Sequence, residues 1–68
     1  MRWERIVGRN IRRLRLERGL TQESLAGEAG LAMRHIGRIE RGEGNPTLRM
    51  LAQIAEALGV MLPELLKE

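Results

Sequence analysis

These 68 residues predict an all-α fold, a compact set of five short helices. Three observations predict it. Apolar residues in the first stretch recur at steps of three and four, the mark of one buried helix face. Two later segments open on a threonine suited to cap a helix and close on a glycine suited to end one. Between Leu20 and Gly42, two helical segments follow each other with only a tight turn between them.

The first helix runs from Trp3 to Arg18. Trp3, Ile6, Val7, Ile11 and Leu14 form its apolar stripe, while Arg2, Arg5, Arg9, Arg12, Arg13 and Arg18 fall mostly off it. Leu16 also lies off the stripe. Trp3, the only aromatic residue, is expected to pack on the core or on a partner subunit rather than stack on a base. Gly19 ends the helix. Thr21 then caps a second helix from Gln22 to Ala29, with Leu20 and Leu25 placed as a hydrophobic staple. Leu25, Ala26 and Ala29 point inward, and Ala26 is small where the next helix crosses. Gly30 stops this helix, because only glycine takes the left-handed conformation without steric cost. Leu31 plugs the turn.

A third helix runs from about Ala32 to Arg41, with Ile36 and Ile39 inward and Gly42 closing it. Glu43-Gly44-Asn45-Pro46 is a loop dense in turn formers. Thr47 caps a fourth helix, Leu48 to Leu58, with Leu48, Leu51, Ile54, Ala55 and Leu58 on its inner face and Gly59 at its end. Pro63 suits the first turn of a last short helix. Of the final apolar residues Met61, Leu62, Leu65 and Leu66, some close the core. The rest either cap it or form a subunit interface.

Length and composition bound the function. A chain of 68 residues makes one small domain, residues 1–68, whose core carries no disulfide because there is no Cys. No segment approaches the ~20 apolar residues of a membrane span, so a cytoplasmic location is expected. The net charge of +3 is unevenly spread: residues 1–42 carry ten Arg against five Glu, and residues 43–68 carry two basic residues against four Glu. Eleven of the twelve basic residues are Arg, which suits bidentate contacts to phosphate and guanine better than Lys does. On charge alone, a nucleic-acid surface and an ordinary solvated surface are equally good readings.

The stretch from Gln22 to Arg41 resembles the helix-turn-helix of phage-repressor-like DNA-binding proteins, the Cro/CI or Xre family. It has the small Ala26, the turn Gly30 and the apolar Leu25, Leu31, Ile36 and Ile39 in order. The family's usual ending appears as Ile39-Glu40-Arg41-Gly42. The pattern Gly-x-x-Ile-Arg-x-Leu-Arg at Gly8 to Arg15 and Leu58-Gly59-Val60 extend the resemblance over nearly the whole chain. It implies a five-helix, lambda-repressor-like domain. The chain departs from the family at Ala32, where a Ser or Thr N-cap is usual. Gly37 and Gly27 each add a helix-interior cost of about 1 kcal/mol relative to Ala. The two glycines imply either a recognition helix that firms up on DNA or, at Gly37, room for close approach of a base or backbone.

The resemblance also implies site residues. Residues at the start of the third helix and one turn later reach base edges, which here are Met33, Arg34 and Arg38. Arg34 and Arg38 lie four apart on one face. Each can offer a fork of donors to guanine O6 and N7, and Met33 can touch a thymine methyl. With the inward residues held, the outward face reads as Met33, Arg34, Gly37, Arg38 and Arg41. Gln22, at the positively polarised start of the second helix, is the family's phosphate contact. By position, His35, Arg41 and Asn45 are further phosphate candidates. Arg15 and Glu40 match a partly buried salt bridge of the family. No metal site is expected, since His35 is the only His and no Cys accompanies it.

The leading function is a sequence-specific, repressor-like transcriptional regulator. It is expected to bind double-stranded DNA as a homodimer on a palindromic site, with Leu65 or Leu66 near the subunit contact. The alternative is a helical protein-interaction module, antitoxin-like or bridging, that keeps the fold with little DNA binding. Glutamates in place of Arg34 and Arg38 would favour it, and the chain has the reverse. An enzyme is not expected, because the chain has no Cys, Tyr or Asp and a lone His. No cofactor and no small-molecule substrate are expected.

Overall fold

A computed structural model describes residues 2–68. The elements are α1 (Trp3–Glu17), α2 (Gln22–Ala29), α3 (Met33–Glu40), α4 (Leu48–Leu58) and a closing 3-10 helix (Leu62–Leu66). Among the described residues there is no strand. The fifth helix is 3-10 rather than α, the usual form for so short a piece.

Local chemistry sets the element ends. Ser24 N donates to Thr21 Oγ1 at 3.0 Å and Thr21 N donates to Ser24 Oγ at 2.9 Å, so two free donors of α2 are satisfied reciprocally. Gly30 then takes φ 74°, and Leu31 N closes the helix by donating to Ala26 O at 2.9 Å. Thr47 Oγ1 accepts from Met50 N at 3.0 Å to start α4. Ala32 holds the extended backbone of an N-cap but makes no side-chain capping bond, so α3 begins without one.

One apolar core joins all five elements. Val7, Ile11, Leu25, Ile36, Ile54 and Leu65 are its largest fully buried side chains. Leu65 therefore belongs to the core and not to a subunit contact. The 3-10 helix is pinned beneath α1 by Asn10, whose Nδ2 donates to Leu65 O at 2.9 Å and Lys67 O at 2.8 Å. Two other expectations are corrected. Leu48 is 70% exposed, because at the first turn of α4 it is Met50 that meets the core. Trp3 is 41% exposed at the start of α1, so of the two places expected for it, core or partner subunit, the core is removed. Leu16, off the stripe, is exposed.

Glycine sets the distance between α1 and α3. A Cβ on Gly8 would run into the carbonyl oxygen of Ile39 and lie 2.9 Å from that of Glu40. Seven residues on, the same face of α1 presents Arg15 to the Glu40 side chain.

Candidate nucleic-acid interface

α3 is amphipathic. Ile36 and Ile39 are buried, while Met33, Arg34 and Arg38 are exposed. Arg41, the C-cap residue, is exposed as well. Gly37 is the exception to the expected outward face: it is buried, because the side chains of Gln22 and Arg41 lie over it. The space beside Gly37 is thus occupied in this structure by the ends of those two side chains. α3 runs unbroken from Met33 to Glu40 despite this glycine.

The phosphate candidates surround α3. Gln22 is half-buried at the first residue of α2, and Asn45 is exposed in the loop after α3. His35, Arg38, Gly44, Asn45, Pro46 and Met50 help to line a cleft of about 210 Å³ between α3, that loop and α4. The cleft brings three of the sequence candidates, His35, Arg38 and Asn45, to one place. His35 Nδ1 is buried without a hydrogen-bond partner. Arg41 Nε sits 3.3 Å from Glu43 Oε1, both side chains more than half exposed, so this pair is worth little and leaves Arg41 available.

Behind the surface lies a network of charge. Arg15 Nε donates to Glu40 Oε2 at 2.6 Å and Nη2 donates to Oε1 at 3.0 Å. Arg15 Nη1 donates to Leu20 O at 2.8 Å, tying the pair to the turn before α2. Both side chains are largely shielded, 9% and 2% exposed. The hydrogen bond to Glu40 raises the Arg15 guanidinium above its ordinary range; burial opposes this and the carboxylate charge adds to it.

Glu40 also reaches the surface through Gln22, whose Nε2 donates to Glu40 Oε1 at 3.1 Å. An ionised carboxylate only accepts, so the amide must turn its NH2 toward Glu40. That leaves the second N–H of the same group for another acceptor. Sequence reasoning missed this link, since 18 residues separate the two and no periodicity relates them. It also missed Asn10, although a polar residue between Val7 and Leu14 at helical spacing is the signal for a buried hydrogen bond. Of the α1 arginines, Arg13 pairs with Glu17 at 3.2 Å and Arg9 donates to Glu68 O at 3.4 Å.

Comparison with known proteins places this geometry. The family model described as helix-turn-helix matches residues 11–65. An uncharacterized HTH-type transcriptional regulator, y4dJ of Sinorhizobium fredii, is 43% identical over 65 residues, covering 96% of this chain and 84% of that one. The immunity repressor protein of Bacillus phage phi105 is 40% identical over 62 residues, and the match spans 91% of this chain but 43% of the repressor. Among solved structures, the restriction-modification controller protein C.AhdI from Aeromonas hydrophila superposes with a TM-score of 0.88 at 37% identity, covering 91% of this chain and 94% of that one.

Proposed function

We propose a function that starts from what the chain is: it belongs to the helix-turn-helix family whose model spans residues 11–65. It acts as a DNA-binding transcriptional regulator of the Cro/CI, or Xre, kind. One observation carries the reading. α3 turns Ile36 and Ile39 into the core and leaves Met33, Arg34 and Arg38 exposed beside the cleft that holds His35 and Asn45. A helix of eight residues is about 12 Å long and fits the major groove.

In this reading Arg34 and Arg38 donate to guanine edges and Met33 packs on a thymine methyl. Gln22, His35, Arg41 and Asn45 hold backbone phosphates and set the register of α3. Two copies bind a palindrome, because one short helix reads too few base pairs for useful specificity. The second copy covers three of the large apolar side chains the monomer leaves in water, Leu48, Met61 and Leu66. The chain forms a single DNA-binding domain and works without catalysis. The family's regulators and the lone His both support that. Among the described residues no helix is long and apolar enough to cross a membrane, which supports action in the cytoplasm, on the nucleoid when bound.

Selection of bound duplexes from a random pool, followed by a salt titration, tests the function. A two-fold symmetric preferred site is expected, with affinity falling on a log–log slope of about −0.9 per phosphate contact. No enrichment of any sequence, together with binding that does not change with salt, overturns it in favour of a protein-interaction module.

A further inference from the structure

We propose that Glu40 is a positioning residue for DNA binding: held by Arg15, it fixes the Gln22 amide so that one N–H stays presented to a backbone phosphate. This rests on the proposed assignment of Gln22 to a phosphate.

Glu40 does more than pair with Arg15. Its Oε2 accepts from Arg15 Nε, and its Oε1 accepts from both Arg15 Nη2 at 3.0 Å and Gln22 Nε2 at 3.1 Å. Arg15 is anchored in turn on Leu20 O. The Glu40 side chain is 2% exposed, so water competes little for these oxygens. The ion pair is complete without Gln22, since both carboxylate oxygens already accept from the guanidinium. Gln22 is half-buried and lies outside the apolar core, and among the described residues its side chain makes no other hydrogen bond.

The chemistry of the amide gives that bond a consequence. The two ends of a glutamine side chain have nearly the same shape and opposite hydrogen bonding. A phosphate only accepts, so an amide that turns its oxygen toward it offers nothing. A free glutamine also loses side-chain entropy when it is fixed on DNA. Glu40 answers both. An ionised carboxylate cannot donate, so it takes the NH2 end and holds the side chain in place before DNA arrives. Arg15 neutralises the same carboxylate, so its charge does not turn a phosphate away.

Arg15→Met with Glu40→Met in one chain tests this. The exchange replaces a shielded ion pair by apolar side chains of similar size, which buried pairs often tolerate. Net charge is unchanged, because one positive and one negative charge are removed. The double variant should melt near the wild-type temperature. It should bind the preferred and a random duplex alike about two- to tenfold more weakly, the loss of one hydrogen bond. Its salt slope should match that of the wild type, because Gln22 carries no charge and releases no counterion. Gln22→Ala should then cost little in the double variant and its full loss in the wild type. Unweakened binding by the double variant overturns the proposal, as does a shallower slope, which would mean that a cationic contact was lost instead. A full Gln22→Ala loss in the double variant overturns it too. If Gln22→Ala leaves wild-type binding unchanged, the phosphate assignment itself fails. Should the double variant not fold, the free wild type decides. The NMR order parameter of the Gln22 side-chain amide should be close to that of rigid backbone, about 0.85, and a value under about 0.6 overturns the proposal.

Discussion

Arg38 and Gln22 stand on neighbouring helices, yet their replacement should be felt differently. Arg38 is exposed on α3 with its guanidinium packed beside Gly44. Arg38→Ala should cost about 1–3 kcal/mol on the preferred duplex and relax the preference at one position of each half-site. Gln22→Ala should weaken preferred and random duplexes alike. Binding measured on both duplexes decides it; equal losses for Arg38→Ala would make that residue a phosphate contact. Arg15 and Glu40 act on the fold as well. Removing either strands a shielded charge, so each Ala variant should destabilise by about 3–5 kcal/mol in denaturant unfolding. Unchanged unfolding of both variants would show that the pair contributes nothing. The raised guanidinium keeps this contribution intact through the neutral range. The part that rests on the guanidinium charge is lost as pH rises through the raised value, above that of an unfolded Arg.

Elements are joined here by a few polar ties laid over an apolar core. α4 docks on the end of α2 through Gln53, whose Nε2 donates to Ala29 O at 3.0 Å. The 3-10 helix is tied to α1 through Asn10 and carries Leu65 into the middle of the core. Asn10→Leu should therefore leave two carbonyls unpaired and loosen the C-terminal segment, at a cost of about 1–3 kcal/mol. Hydrogen exchange should show faster exchange in residues 62–66 than in α2 and α3 of the same variant. Uniform exchange across all the elements would mean that Asn10 supports the whole domain rather than this tie. α3 gains no cap from Ala32, so its stability comes from Ile36, Ile39 and the network at Glu40.

At the scale of the whole molecule, the proposed dimer makes a prediction about how two copies sit on DNA. The chain measures 29 × 20 × 19 Å. Half-sites one turn apart, about 34 Å, put each reading helix about 17 Å from a two-fold axis. One protomer of this size spans that distance. Leu48 and Met61, 70% and 76% exposed, are the side chains a second copy should cover. Leu48→Glu and Met61→Glu should leave the monomer folded while lowering the number of chains per duplex from two to one in sedimentation. One wild-type chain per duplex at saturation, on a site without two-fold symmetry, would exclude the dimer.

The helices, their order and most of their ends were legible in the sequence, because caps, glycine stops and apolar spacing are local properties. Thr21, Gly30, Thr47 and Gly59 end elements where their own chemistry says they should. The exposure of Met33, Arg34 and Arg38 on α3 was legible too, as the complement of Ile36 and Ile39. Tertiary structure decided what depends on distant partners. Periodicity placed Leu48 inward, but at the first turn of α4 it is Met50 that packs on the core and Leu48 that faces solvent. It placed Gly37 outward, where two side chains from other positions cover it. Leu65 was ambiguous by spacing until Asn10, 55 residues away, held its carbonyl. The Gln22–Glu40 hydrogen bond joins α2 to the end of α3 across 18 residues, and no local pattern records that contact.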